Sequence, residues 1–278
     1  MEGINEKSVL QIIQENFEKL FPAEQKAAAF ILKNPERSVN ANVSELANLS
    51  GVSDATVIRM CKHLGYEGHY QFRLSLSRDL GRQQGTQGSD LSDRPSDVFQ
   101  SLANELLEIG RKIGDENLEK AISLIRGANY VHLVAVGNTS PFAQYMGFRL
   151  GRLGIRCSYN LLPEYFMNHI NLADPKDVVI AISESGTSKS VVQALELSKR
   201  KGLKTIAITA YEFSPVSRLA DCLLLSSGKE RPFDYYKSYA HLKEAAVIDA
   251  ILHLLQREAD LRENGVNTPE LLLSETKL

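Results

Sequence analysis

Through residue 125 the apolar side chains recur at three- and four-residue intervals, and from residue 130 onward they come instead in short unbroken runs separated by helical stretches. The first spacing gathers apolar groups on one side of a helix, whereas the second describes strands buried on both faces. A chain that changes period once in this way divides into an all-helical part and an α/β part. Length agrees, because 278 residues exceed the roughly 100–200 that one ordinary domain uses.

In the first part Val9, Ile12, Ile13 and Phe17 share a face, and residues 27–32, 46–49 and 57–64 repeat the spacing. Pro22, Asn34-Pro35, Gly51 and Gly65 interrupt it, so the predicted helices are short. Residues 81–97 are rich in Gly, Gln, Ser and Asp and poor in apolar groups, a composition that reads as a linker. Residues 98–125 are again helical. Strands are then predicted at 130–136, 155–159, 177–183, 204–209 and 222–225. Helices at 142–153 and 188–201 end at Gly154 and Gly202, and a last helix is expected near 239–257. Strands alternating with helices imply parallel pairing and right-handed crossovers. The expected fold class is therefore α/β, with an all-α domain over residues 1–80, a linker over 81–97, and a doubly wound parallel-sheet domain over 98–278.

Composition narrows the function. With 43% apolar and 24% charged residues the chain can build real cores. Lys and Arg number 32 against 34 Asp and Glu, a formal charge of -2, so any nucleic-acid contact must come from a local patch. Cys61, Cys157 and Cys222 are far apart, without the paired spacing of a disulfide framework or a cysteine-built zinc site. No metal and no cofactor is expected, and a reducing cytosol suits the thiols. Residues 1–10 lack the basic start, apolar centre and small-residue cleavage site of a secretion signal. The longest apolar runs are far below the ~18 residues of a membrane helix. A soluble, cytoplasmic protein without membrane contact is expected.

Residues 43–65 follow the grammar of a helix-turn-helix. Gly51 supplies the tight turn, Ser53 is a natural N-cap for the second helix, and small Ala47 permits close approach of the pair. Val57, Met60, Cys61 and Leu64 take the inward spacing. The outward face is then Thr56, Arg59, Lys62 and His63, with Ser53 and Asp54 at the tip. These side chains have the length and hydrogen-bonding groups to meet phosphates and base edges in a major groove. A wet helical hairpin is the plain alternative, and Asp54 argues mildly for it, although a carboxylate can cap the helix or accept from cytosine N4. One copy would bind weakly, so a homodimer or homotetramer presenting paired helices to a double-stranded DNA operator is expected.

A second motif follows the predicted strand 177–183, where Ser183, Glu184, Ser185, Gly186, Thr187 and Ser188 run into the next helix. Backbone N–H groups at that helix start, four hydroxyls and a flexible glycine suit one small anion, phosphate foremost. Gly137, Asn138, Thr139 and Ser140 make the same construction after strand 130–136, which places two hydroxyl-bearing loops at one sheet edge. Neither loop has the spacing of a dinucleotide fold or of a P-loop, so NAD and ATP are disfavoured.

Together the two motifs resemble those of RpiR-type bacterial transcriptional regulators, which join an N-terminal helix-turn-helix domain to a sugar isomerase (SIS) phosphosugar-binding domain. The resemblance covers nearly the whole chain. It is carried by Val52-Ser53 and Thr56-Val57 with Arg59, by Leu64-Gly65-Tyr66 and Phe72, and by Ser183-x-Ser185-Gly186-x-Ser188, similar to the SIS loop usually written SxSGxT. Thr139 falls where the family's first loop usually has Ser, and Ser188 where it usually has Thr. Glu184 lies where related domains often carry an amide or other polar group, and a carboxylate there accepts from a sugar hydroxyl or amine but repels a phosphate placed too near. The resemblance implies a regulator of sugar or amino-sugar catabolism whose operator affinity responds to a bound phosphosugar effector.

SIS domains also occur in aldose-ketose isomerases, which need a base and a polarising partner. Glu164, His169, Glu184, Glu212, His241 and Glu244 are the candidates, and none forms a convincing pair by position. The complete helix-turn-helix favours a regulator over an enzyme, and no catalytic residue is assigned. Glu244, at the start of the last helix, joins the phosphosugar-binding set.

Overall fold

The computed structural model describes residues 7–84, 95–227 and 242–262. Its contacts separate into two units, one reaching Asn104 and the other starting at Glu105.

The first unit is helical: α1 (Val9–Asn16), α2 (Pro22–Lys33), α3 (Pro35–Asn40), α4 (Val43–Ser50), α5 (Asp54–His63) and α6 (His69–Gln84). Local chemistry explains the starts. Ser8 and Gln11 form a reciprocal capping box at α1, Asn42 accepts from the Glu45 N–H at α4 at 2.9 Å, and Pro22 and Pro35 sit in first turns, where no N–H is missed. Ile13, Ala28, Ile31, Leu46, Val57, Met60, Phe72 and Leu76 share one core. Each large aliphatic group buried there contributes about 1.5–3 kcal/mol.

The long α7 (Pro95–Gly127) bends at Gly114, whose φ of 70° and ψ of 159° leave the helical region. Both ends of the expected linker are helical, since residues 81–84 complete α6 and residues 95–97 begin α7. The remainder, 85–94, lies outside the described residues.

In the second unit β1 (Val131–Val134), β2 (Cys157–Ser158), β3 (Val178–Ile182), β4 (Lys204–Thr209) and β5 (Cys222–Leu225) form one sheet in the order β2-β1-β3-β4-β5, every pair parallel. Alternate residues serve opposite faces. Leu133, Ile180, Ile182, Ile206, Ile208 and Leu224 meet α7, α8 (Ser140–Arg152) and α12 (Leu242–Arg262). Val134, Val179, Ala181 and Ala207 meet α9 (Pro163–Leu172), α10 (Lys189–Arg200) and α11 (Pro215–Leu219). Helices on both faces make the sheet doubly wound. The strand order reverses direction between β1 and β3, and in open sheets of this kind the crevice for a ligand opens at the C-terminal ends of the strands flanking that reversal.

Candidate functional site

α5 is set on α4 by the turn at Gly51, which ends α4 in the left-handed region with φ 68° and ψ 37°. The Ser53 hydroxyl then accepts from the Thr56 N–H at 3.2 Å and starts α5. Val57, Met60, Cys61 and Leu64 are buried, as their spacing requires. Burial pushes the Cys61 thiol up to about 12, so it packs as an inert apolar group.

Two expectations for the outward face are corrected. Thr56 does not point out: it is only 5% exposed, because its hydroxyl turns back to Ser53 Oγ at 2.9 Å and accepts from Arg59 Nη2 at 3.3 Å. Asp54 is held by the Ser44 hydroxyl of α4, so its carboxylate serves the junction of the two helices. His63 is exposed, but its Nδ1 lies 2.9 Å from Glu24 Oε2 on α2 and its ring packs against Phe21. Glu24, buried, also accepts from the Phe21 N–H at 3.2 Å. Arg59 and Lys62 are exposed cations. The face also presents Ala55 and Ile58, absent from the expected set.

In the second unit the expected loops follow β1 and β3, the two strands at the reversal. β3 gains one more ladder bond when the Ser183 N–H donates to Ile208 O at 3.0 Å, and the Gly186 N–H then donates to Ser183 O at 3.0 Å to close a tight turn. Gly186 has a φ of +64° and abuts Ser214, with Thr209 Oγ1 at 3.0 Å from where a Cβ would stand. Only glycine meets both demands. Glu184 O is pinned by the Ala210 N–H at 3.0 Å and the Thr209 hydroxyl at 3.1 Å.

The hydroxyls gather within this loop. Ser183 Oγ donates to Ser188 Oγ at 3.3 Å, and Ser185 Oγ accepts from Thr187 Oγ1 at 3.1 Å and from the Thr187 N–H at 3.3 Å. Ser188 is the N-cap of α10, yet its side chain makes no capping bond. The first turn of α10 thus carries N–H groups without a capping side chain, the arrangement that receives anions elsewhere.

The β1 loop is a short 3₁₀ turn, Gly137–Thr139, with Gly137 at φ 63°. Gly137 and Asn138 are exposed and Ser140 is half-buried. Thr139 departs from its expected role, since its buried hydroxyl is directed to two backbone carbonyls, Val136 O at 3.1 Å and Ile182 O at 3.0 Å. With its one proton committed there, the hydroxyl joins the ends of β1 and β3 and has no proton left for a phosphate oxygen.

Glu244, in the first turn of α12, is fully buried. It accepts from the Ser226 hydroxyl at 2.6 Å. Burial pushes its carboxyl up to about 7 against the pull of Ser226, and the nearby Glu184 carboxylate adds to the rise. Glu244 thus lies near enough to Glu184, within the 183–188 loop, to feel its charge. Of the other candidates for acid-base work, His169 lies at the opposite end of the sheet. Glu164 and His169 are exposed on α9, and His169 lines a cavity of about 590 Å³ with Tyr130, His132 and Asp177, at the end where β1 and β3 begin. Glu212 is exposed in the loop after β4, and His241 lies outside the described residues. Thr209, Ser214 and Ser226, which support the loop and Glu244, were not anticipated. Each follows or ends a buried strand, which was the available signal. Among the described residues no group of three or more His, Cys, Asp or Glu could hold a metal ion, and no helix is long and apolar enough to cross a membrane.

Fold and sites define a helix-turn-helix module joined to an SIS domain. Residues 7–83 match the helix-turn-helix domain of the rpiR family and residues 124–249 match the SIS domain. The chain is 30% identical over 224 residues to the uncharacterized HTH-type transcriptional regulator YbbH of Bacillus subtilis, across 78% of this chain and 79% of that one. It is 28% identical over 275 residues to the uncharacterized HTH-type transcriptional regulator TTE0211 of Caldanaerobacter subterraneus, across 95% and 96% of the two chains. Its fold matches that of the Vibrio vulnificus NanR protein, solved in complex with ManNAc-6P, with a TM-score of 0.84 at 22% identity over 98% of this chain and all of that one. The chain belongs to the RpiR family of HTH-type, DNA-binding transcriptional regulators.

Proposed function

We propose that this regulator binds an operator through α5 and that a phosphosugar, seated where the 137–140 and 183–188 loops meet, sets its affinity for that operator. The observation that carries the reading is the first turn of α10, left without a capping side chain while Ser183, Ser185, Thr187 and Ser188 cluster around it. The phosphate takes those N–H groups and hydroxyls, with the backbone of Gly137 and Asn138 and the Ser140 hydroxyl opposite. Glu184 faces the sugar, where a carboxylate accepts from hydroxyls or from an amino-sugar nitrogen, and Glu244, buried on Ser226, adds its charge from beneath. The ManNAc-6P held by NanR supports an amino-sugar phosphate as the first compound to try, and supports the reading of a regulator of sugar or amino-sugar catabolism.

The active form is a homodimer or homotetramer in the cytoplasm, so that two copies of α5 meet two half-sites. The effector changes operator affinity only through its unequal affinity for two arrangements of that oligomer. The test is a panel of hexose and amino-sugar phosphates screened by melting temperature. A ligand at 100 times its Kd stabilises its domain by about 2.7 kcal/mol, and Ser183→Ala with Ser185→Ala abolishes the shift. A panel without any response overturns the reading.

One observation favours a second reading, a phosphosugar isomerase. A buried carboxyl with a pKa of about 7 is poised as general acid-base groups are. NMR turnover assays over the same panel separate the two, and conversion of a phosphosugar lost in Glu244→Gln establishes the second.

A further inference from the structure

The outward face of α5 is not uniformly polar. Between the Ser53 cap and the cations Arg59 and Lys62 it presents Ala55 and Ile58, both exposed, with Ile58 38% exposed. Ile58 belongs to no core cluster, in contrast to Val57 beside it. A β-branched residue loses side-chain freedom in a helix, and here that cost is met without a place in the buried core. Residues three apart on a helix are neighbours, about 5–6 Å between Cβ atoms, so Ala55 and Ile58 form one small apolar step flanked by Arg59.

We infer that Ile58, with Ala55 beside it, selects thymine in the operator by packing on the thymine C5-methyl group. The inference rests on α5 being the groove-reading helix. The edges that base pairs present in the major groove are polar apart from the thymine methyl, so an apolar step amid hydrogen-bonding side chains has one complementary feature there. Arg59 and Lys62, one turn along, supply the polar and phosphate contacts. Arg59 reaches back to Thr56 at 3.3 Å, on the side of the helix away from Ile58, so the apolar step stays uncovered by its guanidinium.

The experiment uses the full-length protein and a duplex selected from a random-sequence pool by the wild-type chain. Each thymine of a half-site is replaced in turn by uracil, which removes only the methyl. At one or two positions uracil weakens wild-type binding about fourfold, the equivalent of one methyl group kept in water. In Ile58→Ala the penalty at those positions disappears, and Ile58→Val retains most of it. An unchanged melting temperature shows that the exposed substitution leaves the fold intact. A uracil penalty that persists in Ile58→Ala, or no thymine position sensitive to uracil, overturns the assignment while leaving operator binding standing. Selection that enriches no sequence removes the groove-reading role of α5 and the inference with it. Effector response is read separately, by whether a phosphosugar changes the affinity for that duplex.

Discussion

Gly186 and Ser214 touch so closely that no side chain fits between them: a Cβ built on Gly186 would overlap Ser214 Oγ and stand 3.0 Å from Thr209 Oγ1. The loop that follows β3 is thus pressed onto the segment that follows β4, and the Val216 N–H donates to Gly186 O at 3.1 Å. Gly186→Ala meets a φ of +64° and this overlap at once. The expected loss is about 2–4 kcal/mol of stability, seen as a drop of several degrees in melting temperature, together with loss of phosphosugar binding.

Thr139 and Ile182 tie the ends of β1 and β3 together through one hydroxyl. Thr139→Val removes the proton and deprives the buried Ile182 carbonyl and the part-buried Val136 carbonyl of this donor, at a cost of about 1–3 kcal/mol. Thr139→Ser keeps the bond and is expected to match the wild type both in melting temperature and in phosphosugar affinity measured by calorimetry. A direct phosphate contact would instead make Thr139→Val lose affinity without losing stability.

Glu244 sets a pH dependence. Its pKa is raised from 4.5 to about 7 in the fold, so between those values the unfolded chain binds fewer protons than the native one. Stability is then highest below about pH 4.5 as far as this group is concerned, falls as pH rises toward 7, and levels off above it. The span is at most about 3 kcal/mol. Glu244→Gln removes this component, so urea unfolding of the variant, compared with the wild type across the window, loses the corresponding slope.

Arg59 and Lys62 are expected to meet DNA phosphates or bases from the exposed face of α5. Replacing Lys62 by Ala weakens binding about equally across sequences and lowers the slope of log affinity against log salt by about one. Replacing Thr56, buried against Ser53, lowers the melting temperature and leaves that slope alone.

The change of apolar period made both architectures legible. The predicted strands at 204–209 and 222–225 coincide with β4 and β5, and those at 130–136, 155–159 and 177–183 contain β1, β2 and β3. Buried parallel strands announce themselves because both faces must be apolar. Gly51, Ser53 and Gly186 were legible for a related reason, since turn geometry restricts the residue that fits. Hydroxyl direction was not. Thr56 and Thr139 look like surface donors in a sequence, but a threonine hydroxyl is satisfied equally well by a backbone carbonyl or a neighbouring side chain, and only the fold decides. Glu244 and Ser226 meet because β5 and α12 are brought together by the sheet, a pairing that no local spacing encodes. Ile58 escaped notice because helical periodicity assigns apolar residues to the core.

The most direct measurement is operator affinity with and without a bound phosphosugar, in the wild type and in the chain carrying Ser183→Ala and Ser185→Ala. The account predicts that an amino-sugar or hexose phosphate changes wild-type affinity by tenfold or more, on the order of 1–3 kcal/mol of coupling, and leaves the variant unmoved while it still binds DNA. Equal operator affinity at every phosphosugar concentration, or the same response in the variant, contradicts it.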